Sequence, residues 1–335
     1  MLIFLITPIH LVIMKGKSTT INERFGPIPK DIGLTKVMRS HQGWWRTNVL
    51  CEDPGLHPLK TGQRVCNTIL NGRISNSNFL NSDIVNAVKD VLNNRTKENS
   101  GIIEEERLYN NLLSSQPLCF NFFGNFYQDK NFGLLVLKSF YPDLTKLNEV
   151  FFEFAPKEKY LNDGSAFDIA FDVQMGNRRG LIGLECKYTD TFSYKPSKST
   201  INYGDIDSKN HDTYLAIFNK SKSQFLADYY EYVRNKDFNQ LFRNQLIAVS
   251  LVQNKNYDFV KTGLFCYQDD QSATKIAGDF RSKLKENDSF KLITYSDFIR
   301  NVQRLELSWE LREWSMLLWA RYCGTVLSEK TVKQL

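Results

Sequence analysis

At 335 residues, 42% of them hydrophobic and 24% charged, the chain can bury a sizeable core as one large domain or two smaller ones, which excludes wholesale disorder. Its 43 lysines and arginines against 37 acids leave a formal charge of +6, which permits a polyanionic partner without requiring one. Six scattered cysteines with no CxxC pair exclude a disulfide framework and read as reduced thiols, and no apolar run reaches the ~18 residues that span a bilayer.

Residues Met1 to Met14 (MLIFLITPIHLVIM) are apolar but broken by Pro8 and His10. No basic residue precedes the run and no small-residue cleavage site follows, so it does not read as a signal peptide. Either it is a strand packed on the body or translation begins at Met14. We prefer the late start, and the protein is then cytoplasmic.

Residues 15–75, with Gly26-Pro27-Ile28-Pro29 and Asp53-Pro54-Gly55, are expected to be mostly loop. Ile84, Val85, Val88 and Val91 recur at helical spacing and predict a helix over Asn81 to Asn93. A second helix is predicted from Ile103 to Ser114, acidic in its first turn. The period then changes. Val150 to Phe154 reads as a strand, and Ala166 to Val173 alternates, with Phe167, Ile169, Phe171 and Val173 on one face and Asp168, Ala170 and Asp172 on the other. Arg179 to Tyr188 is a third strand, joined to the second by the turn Met175-Gly176-Asn177-Arg178.

A polar loop over 189–212 leads to a long helical region, Ser221 to Gln253. A strand at Thr262 to Tyr267, a helix at Ala273 to Leu284, a strand at Phe290 to Thr294 and a helix from Ser296 follow. In the tail, Leu305 to Tyr322, the residues Trp309, Trp314 and Trp319 read as packing anchors. The order suggests an α/β sandwich on a mixed sheet.

Glu185 and Lys187 are two apart on the third strand, so both project from one face. An acid and a lysine on an otherwise apolar strand are costly to bury unless paired or metal-bound. Asp168 lies on the hairpin partner, and a pairing register exists that brings its carboxylate beside Glu185. Two close carboxylates repel unless a divalent cation sits between them, and hard oxygen donors suit magnesium or manganese. Such a cation acidifies a bound water and offsets charge at a phosphate, while Lys187 orients the attacking water. The competing explanation is a cross-strand salt bridge from Asp168 or Asp172 to Lys187 on a solvated face.

Asp168 in FDIAFD followed by Glu185-Cys186-Lys187 in GLECKYTDTF resembles the PD-(D/E)XK nuclease superfamily. The stretches LLSSQPLCFNFFGNF (Leu112 to Phe126), VFFEFAP (Val150 to Pro156), HQGWWRTNVL and NFLNSDI look like a bacterial, restriction-endonuclease-like branch, so the likeness runs over about 40–300. One departure is Phe167, where the family's pattern has proline.

The resemblance implies an α/β fold with a restriction-endonuclease-like core, a central mixed sheet flanked by helices, and magnesium-dependent DNA cleavage. It implies Asp168, Glu185 and the backbone carbonyl of Cys186 as metal ligands, Lys187 as the catalytic lysine and Glu153 as an auxiliary acid. On this reading residues 1–100 are a loop-rich extension with a helix, 101–304 the nuclease-like domain, and 305–335 a C-terminal helix packed on the core.

Arg243 and Gln245, in a stretch that also holds Tyr229, Tyr230, Tyr232 and Arg234, are expected to reach the site or the phosphate backbone, as such groups do in related nucleases; alternatively the tyrosines are core and the charges solvated. Lys195 and Lys198, with Lys209, Lys220 and Lys222, make a basic loop that either contacts phosphates or is solvated. Gln116 either turns the chain before Pro117 or faces the site. His41, Cys51, His57 and Cys66 match no common zinc spacing. The partner expected is DNA, with no membrane, and a homodimer would suit double-strand cleavage. The alternative function is an inactive nucleic-acid-binding module of the same fold.

Overall fold

The computed structural model describes residues 25–26, 31–57, 60–95, 101–156, 160–189 and 204–332. The Met1–Met14 segment, Lys195 and Lys198 lie outside them. In chain order the elements are α1 (Gly33–Asn48), β1 (Pro54–His57), β2 (Lys60–Ile69), α2 (Gly72–Ser75), α3 (Ser82–Asn94), α4 (Glu105–Asn110), α5 (Ser115–Gln128), α6 (Lys130–Lys138), β3 (Lys146–Phe154), β4 (Phe167–Met175) and β5 (Arg178–Lys187). Then come α7 (His211–Lys220), α8 (Tyr229–Val233), α9 (Asn239–Gln253), β6 (Phe259–Cys266), α10 (Gln271–Arg281), β7 (Phe290–Thr294), α11 (Tyr295–Gln303), α12 (Trp309–Tyr322) and α13 (Glu329–Val332).

Strands β3 to β7 form one five-stranded sheet in sequence order, antiparallel through β5 and parallel from β5 to β7. The parallel half requires long crossovers, supplied by α7 to α9 and then by α10. The β4–β5 hairpin closes as read from the sequence, with Met175 opposite Arg178 and Gly176 at φ +60°, a conformation glycine adopts without strain.

Each face of the sheet carries its own core. On one, Ile169, Phe171, Val173, Ile182, Leu184 and Cys186 pack against the aromatics of α5, Phe120, Phe122, Phe123 and Phe126. On the other, Ala170, Leu181 and Leu264 meet Leu241, Phe242 and Leu246 of α9 and Phe280 of α10. The result is a mixed sheet flanked by helices. Among the described residues no helix is long and apolar enough to cross a membrane.

Several elements differ from the sequence reading. Residues 15–75, expected as loop, hold α1 and the β1–β2 hairpin. Helix α1 has no clean apolar stripe because it buries polar groups that find partners: His41 meets Ser328 and Ala320, and Arg46 donates Nε to the Cys66 carbonyl at 2.9 Å. The predicted helix 103–114 stops at Asn110, and α5 begins at Ser115, where the Ser114 hydroxyl accepts from Gln116 N. Pro117 therefore sits in a first turn, where its missing N–H is harmless. Helix α7 begins inside what was read as loop, and the region 221–253 is split into α8 and α9 by a turn at Asn235–Phe238.

Of the three tail tryptophans only Trp314 is an anchor. It is buried and donates Nε1 to Asn121 O at 2.8 Å, whereas Trp309 is 77% and Trp319 43% exposed. Met38 of α1, Ile84 of α3 and Leu318 of α12 all enter the core formed with α5.

Phe167 also departs from expectation. It leaves the row of Ile169, Phe171 and Val173 and joins the opposite core, where its ring covers Gly183. A Cβ at Gly183 would lie 2.6 Å from that ring. Gly183→Ala is therefore expected to lower the urea midpoint by an amount equal to about 1–3 kcal/mol of overpacking; an unchanged midpoint would show that Phe167 does not depend on the missing side chain.

Candidate active site

The registers set the site. Phe152 and Phe154 of β3 pair with Ile169 and Phe167, and Ala170 of β4 pairs with Gly183. Carried along the strands, these pairings put Glu153, Asp168 and Glu185 in one row across β3, β4 and β5. The ladder between β4 and β5 opens at this row, and Asp168 Oδ2 accepts the Cys186 backbone N–H at 2.6 Å. A carboxylate thus takes a strand's backbone donor.

Glu185 and Lys187 face α9. Lys187 Nζ lies 3.1 Å from Glu185 Oε1 and donates to Gln240 Oε1 at 2.6 Å, while Gln240 Nε2 donates to Glu185 Oε1. Asn244 Nδ2 donates to Glu185 Oε2 at 3.1 Å. Glu185 is 3% and Lys187 8% exposed, and one helix face meets the buried pair, Gln240 and Asn244 being four residues apart.

Glu153 lies at the other end of the row, on backbone with φ +51°. A left-handed non-glycine residue inside a strand costs of order 1–3 kcal/mol and redirects its side chain. Gln116 Nε2 donates to Glu153 Oε1 at 3.1 Å and to Ile102 O at 2.7 Å, while its Oε1 accepts from Glu104 N. Gln116 thus both opens α5 and faces the acids. Ile103, Gln116, Cys119, Phe120 and Phe152 wall a small recess against Glu153 and Asp168.

Burial pushes Glu153 up to about 7, against the pull of the Gln116 hydrogen bond and with the added repulsion of Glu185. It also pushes Asp168 well above the usual aspartate range, with the charges of Glu185 and Glu153 adding and the Cys186 N–H and Lys187 opposing. Protonation relieves such a row, and so does a cation. The donors are carboxylate oxygens, which fit a hard divalent ion such as magnesium or manganese. In the arrangement seen, Gln240, Asn244 and Lys187 occupy Glu185, and no three acids, histidines or cysteines among the described residues converge on one point. Cys186 offers the row only its backbone, since its side chain is buried in the core with α5.

Neither aspartate of β4 makes the cross-strand bridge to Lys187 that would have explained the pattern on a solvated face. Asp172 is held by Arg179, with Nε at 3.2 and 3.0 Å from its two oxygens, and by Asn148. Arg243 Nη1 donates to Ser165 Oγ at 3.0 Å and lies 4.0 Å from Asp163 Oδ2, so it braces the loop that enters β4 just before Asp168. Gln245 is placed elsewhere: it is buried against β6 and accepts from Thr262 Oγ1 at 2.8 Å, turned away from the acids. Tyr229 and Tyr232 are core, and Arg234 stacks on Tyr230 and meets Asp205.

Among the described residues, no three of the zinc candidates His41, Cys51, His57 and Cys66 converge on one point. His41 is buried, with its pKa lowered to about 4 by burial, and is held by Ser328 and Ala320; Cys66 donates to Gly26 O, and Cys51 is exposed.

The residues missed in the sequence are Gln240 and Asn244. Their signal was a pair of amides four apart at the start of a helix that follows the acid-x-lysine strand. Arg243 and Gln245, the residues expected from the sequence, lie on other faces of that helix.

A family model described as the PD-(D/E)XK nuclease superfamily matches residues 29–324. No curated protein and no solved structure matches the chain.

Glu153 supplies a test of the electrostatics. Its folded pKa lies above the ordinary 4.5, so its contribution to stability is full below about pH 4.5 and is lost as pH rises through about 7. Glu153→Gln, which keeps an acceptor for Gln116, is expected to remove that loss. In EDTA at pH 8 the variant should be more stable than the wild type by at most about 3 kcal/mol, with the difference vanishing near pH 4. Equal urea midpoints at both pH values would mean that the acid row carries no such penalty.

Proposed function

The chain belongs to the PD-(D/E)XK nuclease superfamily, whose membership implies metal-dependent nuclease activity, and from that premise we propose that it hydrolyses DNA phosphodiester bonds with magnesium, manganese being the substitute. The observation that carries this reading is the row Glu153, Asp168, Glu185 with Lys187 beside its last member.

Asp168 and Glu185 would hold the ion, with the Cys186 carbonyl as a third donor. Bound there, it would acidify a water and offset the charge that builds at the scissile phosphate. The protein's own groups do the rest. Lys187, its ammonium held by Gln240 and Glu185, orients the attacking water and donates to a phosphoryl oxygen. Water forms a new P–O bond as one ester P–O bond breaks, losing a proton to solvent while the departing alkoxide takes one up from solvent. Glu153, raised towards neutrality, is a proton carrier at the far end of the row. Gln240 competes with the ion for Glu185, so loading the site means shifting this amide.

DNA as the substrate rests on the likeness to the restriction-endonuclease-like branch and on a net charge of +6. Lys195 and Lys198 remain candidates for the phosphate backbone. All six cysteines are free thiols, which supports a reducing, cytoplasmic location. A homodimer would let two such sites cut two strands.

Purified protein incubated with linear, circular and single-stranded DNA is expected to cleave in magnesium and to be silent in EDTA. Asp168→Ala, Glu185→Ala and Lys187→Ala should each lose roughly 10²–10³-fold in rate. Variants that cut as well as the wild type would end the assignment of the site. A wild type that binds DNA in a salt-dependent way and never cuts is the inactive binding module, and one that cuts only RNA keeps the mechanism and overturns the substrate.

A further inference from the structure

The last residue of β5 and the two that follow it are tied to two helices distant in sequence. Tyr295, the first residue of α11, donates its hydroxyl to the Lys187 carbonyl at 2.6 Å. Gln42 of α1 donates Nε2 to the Tyr188 hydroxyl at 2.7 Å. Thr35, also of α1, donates Oγ1 to the Thr189 carbonyl at 3.2 Å.

The first two ties are buried, and the second is backed by further bonds. Gln42, Tyr188, Tyr295 and Arg321 are all fully buried. Gln42 also donates to Arg321 O at 2.9 Å and accepts from Arg321 Nε at 3.3 Å, and Arg321 Nη1 in turn donates to Asn78 O at 2.7 Å. A satisfied polar network in a dry interior is rigid, because each member that moves leaves an unpaired group behind.

A lysine has four flexible methylenes between backbone and charge, so fixing its ammonium requires control at both ends. Gln240 and Glu185 hold the ammonium. The backbone end lies in the last residue of β5, where strand pairing gives out. We propose that Tyr295, with Gln42 behind Tyr188, is a positioning residue for Lys187, fixing the backbone end of the lysine as Gln240 fixes its charged end. This rests on the nuclease reading given above, and it makes α1 and α11 parts of the catalytic unit.

Tyr295→Phe keeps the ring and removes the donor. Its control is Tyr322→Phe, which deletes an equally buried hydroxyl of the same aromatic cluster, one that accepts from Asn121 at 2.9 Å and has no hydrogen bond to the end of β5. Steady-state cleavage of DNA in magnesium and amide hydrogen exchange over residues 186–189 are measured on the full chain. Tyr295→Phe is expected to lower kcat roughly ten- to a hundredfold at unchanged KM and to speed exchange at Tyr188 and Thr189. Tyr322→Phe should match it in thermal midpoint yet keep wild-type kcat. Equal losses of kcat in the two variants, or a Tyr295→Phe defect confined to KM, would reduce the tether to ordinary packing. Should the wild type cleave nothing, the nuclease reading fails, and exchange still decides the tether: acceleration in Tyr295→Phe alone upholds it, and no acceleration overturns it.

Discussion

Everything in this fold has to accommodate three carboxylates and an ammonium held in one row of a sheet packed on both faces. Charges taken out of water are expensive, and like charges brought together more so. The chain meets part of that cost with fixed dipoles. Asp168 receives a backbone N–H from the neighbouring strand, Glu153 an amide from α5, and Glu185 two amides from α9 together with Lys187. The last of these acids is fully partnered and the first two are not, which is why burial and mutual repulsion raise Glu153 and Asp168. The row is thus graded, from an acid held by three partners at one end to acids whose affinity for a proton burial has raised at the other.

The grading follows from the position of the row in the sheet. Helix α9 is at once the main packing partner of one face and the donor of Gln240 and Asn244, so the apolar contacts of Leu241, Phe242 and Leu246 set the height and rotation at which the amides meet Glu185. Arg243, one residue before Asn244, braces the loop into β4 through Ser165, so the same helix steadies the approach to Asp168. On the opposite face α5 does the equivalent work, with its aromatics in the core and Gln116 at its first turn reaching Glu153. Each helix fixes one end of the row with polar residues and is itself fixed by apolar ones, so site geometry and core packing are mechanically one thing.

This division also explains what could be read in the sequence. The β4–β5 hairpin was legible because alternation has a period of two and the Gly176 turn sets the register, and from register alone Asp168 falls opposite Glu185. Helix α5 was opaque because it is apolar on every side, so no stripe marks its phase, and α1 because its buried face is His41, Gln42 and Arg46. Gln240 and Asn244 were missed for a related reason. The sequence marks the helix but not its start, and without a phase the choice among Gln240, Arg243, Asn244 and Gln245 has nothing to rest on. Phe167 was misassigned because the strand pattern breaks at the row itself, where the β4–β5 ladder opens and its ring crosses to cover Gly183.

A buried Glu–Lys pair is poor support for a fold, since well-packed apolar residues of similar size serve stability as well or better. Glu153 adds a left-handed backbone to its raised pKa, and Asp168 interrupts the ladder that would otherwise continue to the end of β4. Each of these is a local cost, and all of them fall in one row. Conflicts between local preference and overall fold are expected where a chain is shaped for something besides its own stability. Here they coincide with the only acid-x-lysine strand of the sheet, whose end Tyr295 and Gln42 secure through buried hydrogen bonds. The ion-binding role proposed for the row would account for this concentration of local costs.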